Sequence, residues 1–476
     1  MIQDNRFGIS PGFMSEIPGS YRLLKTRINL VVIIAALIIF SIPAFSVENN
    51  TSSLQESSNI GDKKAELPDN PSMADYISYA VQNSPGLKSA YDRWQAKIEK
   101  SRQAGTMPEP VLSYMLPLQE MTSEPVYERQ KISIAQMFPW FGKLSLQEQA
   151  ALFDADAEKN AYDMAERELI FRVVKAYYEY YYLGRTIEST TRNLHLLTYL
   201  EEVTRTRYSA AQAEYNDLLK LQVEIEKLKN EMNNLNDQIP VYSARLSAEI
   251  GLKPGDAFPL PEKIDKSDVI ISLEAVDGLL VNTNPSIKML DAMIEVSKAM
   301  EALAGREFFP DVMIGFEYRD MESRVEPNLN ENMDSIMFMF SVSLPIKFGK
   351  YSSMAAEAGF TRTSLEKQRA DLINQLTVSF RQALFMFKEA GRRAVLYEEN
   401  LIPKGRESVN ASMEAFIGGR SALMEFIDSE RMLLEFEVQM ERAKADREIA
   451  AAEMEMLAGK KIFVDARNPA IPEKTK

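Results

Sequence analysis

The chain repeats itself. Asn83-Ser84-Pro85-Gly86-Leu87 returns as Thr283-Asn284-Pro285-Ser286-Ile287, with the prolines 285 − 85 = 200 residues apart. Gly105 and Pro110 return at that offset as Gly305 and Pro310. Phe138-Pro139-Trp140-Phe141-Gly142-Lys143 returns as Leu344-Pro345-Ile346-Lys347-Phe348-Gly349-Lys350 (344 − 138 = 206; 350 − 143 = 207), and Tyr208 and Asp217 return at 208 as Phe416 and Glu425. A fixed order of landmarks means that both halves must fold into the same unit. The drift in offset reads as small insertions at loops. The units span 72–251 and 273–459, joined by a Pro-rich linker, 252–272, and followed by a polar tail, 460–476.

Each unit opens with a helical segment, Ser72–Ala104 and Leu273–Ala304, broken early at Asn-Ser-Pro and Thr-Asn-Pro because a residue before proline avoids helical angles. A β-hairpin follows, 109–138 in unit one and 310–345 in unit two. Ile336, Phe338, Phe340, Val342 and Leu344 are apolar and alternate with Met337, Met339, Ser341 and Ser343. Val312, Ile314, Phe316 and Tyr318 alternate with Met313, Gly315, Glu317 and Arg319. Period two with one apolar face predicts strands. About 9–11 residues is also the length of a tilted transmembrane strand. The unit-one equivalents are Val111–Leu118 and Lys131–Phe138. A soluble hairpin packed on helices gives the same pattern.

The turns Pro139, Trp140, Phe141, Gly142, Lys143 and Pro345, Phe348, Gly349, Lys350 end the second strands. Aromatics with lysine suit a membrane–water boundary, and Pro and Gly also suit an ordinary strand-to-helix turn. Long helices come next, about Leu144–Arg207 and Ser352–Ala415, each on the order of 95 Å at 1.5 Å per residue. The returning helices carry a heptad seam: Leu218, Leu221, Ile225, Leu228, Met232, Leu235, Ile239, Tyr242 and Leu246. Adding 208 gives Phe426, Ser429, Leu433, Phe436, Met440, Ala443, Arg447, Ala450 and Met454, with Ser429 and Arg447 as polar exceptions. Such spacing specifies coiled-coil packing, although the buried helices of a globular bundle give the same pattern. The fold class is mostly α with a small β part, a duplicated helix–β-hairpin–helix unit.

Arg22, Lys25 and Arg27 precede the apolar run Ile28–Ile42, and Ala44-Phe45-Ser46 offers a cleavage site. That order predicts a secretory signal peptide, 1–46, with an uncleaved anchor as the alternative. Residues 47–71 read as a disordered leader.

Composition removes several functions. A formal charge of −14 argues against nucleic acid as a partner. With no cysteine and His195 as the lone histidine, no thiol nucleophile, disulfide or zinc cluster is expected. His195 aligns with Pro403 (403 − 208 = 195) and so has no repeat partner. No catalytic, cofactor or metal site is expected, and no phosphate-loop motif for ATP occurs. The 25 methionines fall mostly at heptad or strand positions, where filling space is the usual role.

Four strands cannot close a barrel, and open edges in lipid cost several kcal/mol per unpaired group. A homo-oligomer solves this, and three chains supply twelve strands. The signal peptide, the duplication, the strand pair ending in FPWFGK and the tip segments resemble the outer-membrane factor (TolC) family of efflux proteins over nearly all of 72–459. The FPWFGK form is most similar to members serving heavy-metal pumps. The resemblance implies a homotrimer with a twelve-stranded transmembrane β-barrel in the outer membrane and a long periplasmic coiled-coil α-barrel. It also implies partnership with a periplasmic adaptor and an inner-membrane pump, and a passive exit duct for small molecules or metal ions. The competing reading is a periplasmic coiled-coil scaffold or adaptor anchored by the N-terminal helix. A carboxylate-based hydrolase is a third, with no cleft to locate it.

The resemblance further implies adaptor-docking tips at Tyr208, Ala211 and Gln212 and at Phe416, Gly418, Gly419 and Arg420. Ala211 stands where a glycine is usual, so a looser or differently docked turn is expected in unit one. Glu425 and Asp428, three apart on one helix face, are implied pore-gate carboxylates, six around a threefold axis. Asp217 and Lys220 stand at the unit-one positions, so the ring is expected from unit two alone.

Overall fold

The computed structural model describes residues 67–68, 71–117, 126–253, 255, 258–261, 264, 267–269, 276–323 and 334–465. The expected signal peptide 1–46, residues 47–66 of the expected leader and the tail from 466 lie outside them.

Unit one begins with α1 (Met73–Asn83), whose first turn is closed by a reciprocal cap. The Ser72 hydroxyl accepts from the Asp75 N–H, and the Asp75 carboxylate accepts from the Ser72 N–H at 2.9 Å. Ser84 then caps α2 (Pro85–Ala104), with Pro85 at the first helical position, where its missing N–H costs nothing. Strands β1 (Val111–Met115) and β2 (Val126–Phe138) lead into α3 (Lys143–Ser209) and α4 (Tyr215–Glu249). A short β3 (Ser267–Val269) lies in the linker.

Unit two repeats the plan with α5 (Val276–Thr283), α6 (Pro285–Arg306) capped by Asn284, β4 (Val312–Ser323) and β5 (Ser335–Val342). Its long helix is α7 (Phe348–Leu396), a π-helical turn (Tyr397–Leu401) and α8 (Ile402–Ile417); α9 (Leu423–Ala458) returns, and β6 (Phe463–Asp465) ends the described chain. The 67 residues of α3 extend about 100 Å, far beyond what a globular core can cover.

Most of the offset drift, 206 − 200 = 6 residues, arises across the hairpins between Pro110/Pro310 and Phe138/Leu344, as loop insertions would give, and one further residue has a different cause. Between Lys143/Lys350 and Tyr208/Phe416 the offset grows by one residue, 208 − 207, yet helix is continuous there in both units. The extra residue sits in the π turn Tyr397–Leu401, where i→i+5 bonding takes up one residue without breaking the rod. Pro403 follows immediately, at a point where the α-helical ladder has already been interrupted.

Each unit closes onto its own opening kink. Gly251, at φ 81, lies where a Cβ would stand 3.1 Å from the Asn83 carbonyl oxygen. Gly459, at φ 70, is tighter still, at 2.6 Å from the Thr283 oxygen and 2.7 Å from Pro285 Cδ. The side chains of Thr283 and Asn284 donate to the carbonyls of Ala458 and Leu457, the latter at 2.7 Å. They satisfy end groups that a helix cannot bond itself.

Helix α3 packs against α2, α4, α6 and α9. The seam positions Leu218, Leu221, Ile225 and Leu246 of α4 are buried, as are Phe426, Ala443, Ala450 and Met454 of α9. Both polar exceptions have partners: the Ser429 hydroxyl lies 3.3 Å from that of Ser408, and Arg447 sits over the Phe387 ring at 4.9 Å.

Linker and tail also pair, a feature absent from the sequence reading. Residues of β3 run antiparallel to β6, Ser267 opposite Asp465 and Val269 opposite Phe463. Three-residue strands are too short to show alternation.

Candidate functional site

The main sheet has the order β1-β2-β4-β5 and is antiparallel throughout. Its register sorts the side chains. Leu112, Ile134, Phe316 and Phe338 form one cross-strand row, and Tyr114, Ile132, Tyr318 and Ile336 form another on the same face. Phe138, Val312 and Val342 continue that face, and Phe316 meets Phe338 edge-on at 5.5 Å. The face is exposed, with Ile336 79% accessible. From Val312 to Tyr318 the apolar band extends about 20 Å along the strand. It then ends in polar groups: Gln130 donates to Asp320 at 2.9 Å, and Tyr318 donates to Asp334 at 2.7 Å.

The opposite face carries Ser113, Ser133, Glu317, Lys131, Arg319, Gly315 and Ala135, together with methionines. Lys131 pairs with Glu317 at 2.7 Å, and Arg319 donates to the same carboxylate. Among the described residues the sheet makes its main contacts strand to strand, and no helix layer covers either face. β2 begins five residues before the expected Lys131, with a bulge between Glu128 and Gln130, and β1 ends at Met115, three short of the expected Leu118.

At the helix-side end, Gly142 takes φ 86, a left-handed angle that turns β2 into α3. Phe141 is 85% accessible, and Ile346 and Phe348 are also exposed. Trp140 instead stacks on Phe309 at 5.2 Å, and its backbone N–H donates to the Asp311 carboxylate at 2.9 Å. Lys143, read from sequence as facing a membrane boundary, is turned inward and only 4% exposed. Its ammonium bonds Asp311 at 2.9 Å and Glu307 at 3.3 Å. Two carboxylates draw the cation in and tie the hairpins of the two units together.

At the other end of the long helices the two helix–helix turns are conformational copies. Ala211 takes φ 55 and Gly419 φ 67, and Gln212 N–H bonds the Arg207 carbonyl as Arg420 N–H bonds that of Ala415, both at 2.8 Å. The looser unit-one turn expected from alanine is not found. Hydrogen bonding at the turn outweighs the roughly 1 kcal/mol left-handed penalty. Arg207 joins the two turns, donating to the Phe416 carbonyl at 2.7 Å and lying 5.3 Å over its ring. Tyr208, Tyr215 and Ile417 are exposed beside it, whereas Phe416 is buried.

Glu425 and Asp428 are both exposed on the first turns of α9. Asp428 lies 3.7 Å from Arg431, whose guanidinium also grips Glu224 of α4. The Arg431 hydrogen bonds hold the Glu224 carboxyl below its ordinary range. Glu430 points the other way, into the α3–α9 interface. One oxygen accepts from Asn193 at 2.9 Å, and the other is buried without a partner. Burial first, and Glu437 second, raise it to about 7.

No protein-family model matches the sequence, and no curated protein does. Solved structures do match in three dimensions. A membrane protein from Pseudomonas aeruginosa aligns with a TM-score of 0.70 at 16% identity, over 81% of this chain and 92% of that one. The outer membrane protein VceC from Vibrio cholerae gives 0.68 at 15%, over 82% and 96%. The MtrE outer membrane channel of Neisseria gonorrhoeae, in its open state, gives 0.68 at 16%, over 82% and 89%. The fold is TolC-like.

In this TolC-like chain the sequence-predicted residues gather at two remote places, the strand-to-helix turns and the tips. Glu425 and Asp428 follow the second tip within one helix. Arg207, Glu224, Arg431, Asn193 and Glu430 were not anticipated. Their signal was a break in the repeat: 208 positions on, Arg207 and Glu224 become Ala415 and Met432. Both of these unmatched charges contact the other unit, Arg207 at Phe416 and Glu224 at Arg431. Among the described residues no helix is long and apolar enough to cross a membrane, and no group of three His, Cys, Asp or Glu is placed to hold a metal ion.

Proposed function

We propose that three copies of this chain close a twelve-stranded barrel in the outer membrane. The long helices then form a periplasmic duct, through which cargo handed over by an inner-membrane pump and a periplasmic adaptor leaves the cell. The observation that carries this reading is the uncovered sheet, with one face apolar from Val312 to Tyr318 apart from Gln136, and open at both edges. In lipid each unpaired backbone group costs several kcal/mol, so β1 and β5 need partners. Because the four strands alternate in direction, β5 of one chain meets β1 of the next antiparallel, and any number of copies extends the same pattern. Two copies make eight strands, whose interior side chains fill, while twelve leave a lumen. The polar face lines it. A water-soluble scaffold has no use for this apolar band.

The neighbours named as outer membrane proteins and channels support the same location. The duct is passive, since the chain has no phosphate-loop motif and needs its energy from the pump. Glu425 and Asp428 form the narrow entrance, with Tyr208, Ala211, Gln212, Phe416, Gly418, Gly419 and Arg420 as the adaptor surface beside it.

The test is fractionation with gel mobility before and after boiling, followed by planar-bilayer conductance. A heat-labile trimer in the outer membrane with low conductance, raised by Glu425→Gln with Asp428→Asn, is the expected result. A soluble monomer overturns the barrel. A freely leaking wild type that the double variant matches overturns the gate.

A further inference from the structure

The cations of the main sheet are balanced differently along its length. Away from the helices they are engaged: Lys131 pairs with Glu317, Arg319 pairs with Glu317 and Glu128, and Arg129 also has a partner. At the helix-side end Lys143 takes up both Glu307 and Asp311. That leaves Arg306, Lys347 and Lys350 exposed and, among the described residues, without an ion pair. Against these three, Glu109 just ahead of β1 is one carboxylate that no described cation pairs. An excess of positive charge here runs against the chain's formal charge of −14.

The free cations sit among exposed apolar groups. Arg306 lies against the β2–α3 turn, its Nε 3.9 Å from where a Cβ on Gly142 would stand, next to the exposed Phe141. Lys347 and Lys350 flank the exposed Phe348 in one turn, closed by the Lys350 N–H on the Lys347 carbonyl at 3.0 Å. The Lys350 ammonium rests 5.5 Å from the centre of the Tyr351 ring. That ring in turn meets Phe308, two residues from Arg306, at 5.6 Å. Leu344 and Ile346, both exposed, carry the apolar surface past the end of β5.

We propose that Arg306, Lys347 and Lys350 bind the phosphates of anionic phospholipid in the leaflet facing the helices. The inference rests on the barrel reading above and goes beyond it by naming the lipid. Rings and aliphatic stems stay in the apolar layer while the charged ends reach the headgroups. A zwitterionic headgroup brings its own cation to the phosphate and gains less from these side chains. Anionic lipid supplies the charge that the protein leaves unpaired at this level.

Trp140, stacked on Phe309 at the same end of the sheet, serves as reporter, and Trp94→Phe silences the other tryptophan. This protein is reconstituted in phosphatidylcholine vesicles that contain brominated phosphatidylglycerol or, in parallel, brominated phosphatidylcholine. Quenching of Trp140 is followed against mole fraction. The glycerol lipid is expected to half-quench at about one fifth of the mole fraction that the choline lipid needs. High salt should narrow the gap. Adding Arg306→Gln, Lys347→Gln and Lys350→Gln together should abolish it, whereas Lys347→Arg with Lys350→Arg should keep it. Equal quenching by both lipids, a preference that survives the triple variant, or release of the lipid by inorganic phosphate alone overturns the lipid site and leaves the barrel standing. If neither lipid quenches Trp140, these turns do not meet a bilayer and the barrel reading itself fails.

Discussion

The guanidinium of Arg207 donates to the main-chain oxygen of Phe416 at 2.7 Å and covers the ring of the same residue at 5.3 Å. One side chain from the first unit thereby holds both the backbone and the aromatic anchor of the second unit's tip. Within one chain the two tips are fastened together, so any widening there must break or carry this contact.

Replacing Arg207 with alanine is expected to loosen the tip by roughly 1–2 kcal/mol, since the site is partly open to water. Under the duct reading, conductance in a planar bilayer rises. Arg207→Lys keeps the charge but loses the planar fork that stacks and donates together, and should fall between wild type and alanine. Equal conductance for all three would remove the tie from any gating role.

The paired turns give an internal control for backbone strain. Ala211 holds the left-handed conformation that Gly419 holds freely. Ala211→Gly should stabilise by up to about 1 kcal/mol, less what added unfolded-state freedom takes back. Gly419→Ala should destabilise by about the same amount, because 3.7 Å to Arg207 leaves space for a methyl and only the backbone objects. Thermal melts of the two variants are expected to move in opposite directions.

Much of this fold was legible because its signals are periodic. The alternation at 312–319 and 336–344 puts both apolar sets on one face, and the register agrees as far as Val342, where β5 ends two residues short of Leu344. The seam through Leu221 and Phe426 likewise fixed the buried face of α4 and α9. Hidden features were those with no period. The π turn adds one residue without a Gly or Pro of its own, β3 and β6 are too short to alternate, and Lys143 looks like any boundary lysine until Glu307 and Asp311 are folded against it. The resemblance pointed to the two tips, but the tie between them depends on Arg207, which the repeat shows only as a mismatch.

Closure of each unit on its opening kink predicts a graded response. At Gly459 a methyl group would meet the Thr283 oxygen at 2.6 Å and Pro285 at 2.7 Å, on a left-handed backbone. Neither contact is a flexible side-chain end, so Gly459→Ala should cost about 3 kcal/mol or more. At Gly251 the nearest contact is 3.1 Å, and Gly251→Ala should cost roughly 1–2 kcal/mol. Denaturant melts should rank wild type, Gly251→Ala and Gly459→Ala in that order of stability.

Glu430 makes stability depend on pH in a stated direction. Its carboxyl is raised from 4.5 to about 7 by burial in the α3–α9 interface. Asn193 of α3 donates to it, while Glu437 further along α9 is engaged by Arg192 and Arg406. Below pH 4.5 the folded and unfolded chains both hold the proton, and the group contributes nothing. Between 4.5 and about 7 the unfolded chain releases a proton that the folded chain keeps, so stability falls as pH rises and levels off above that window. The loss is on the order of 3 kcal/mol per chain by pH 8. Glu430→Gln removes the charge and keeps an acceptor for Asn193. Its melting temperature should match wild type near pH 4.5 and exceed it increasingly towards pH 8. Parallel curves for the two proteins would mean that the native carboxyl is already ionised, and that the α3–α9 interface tolerates its charge.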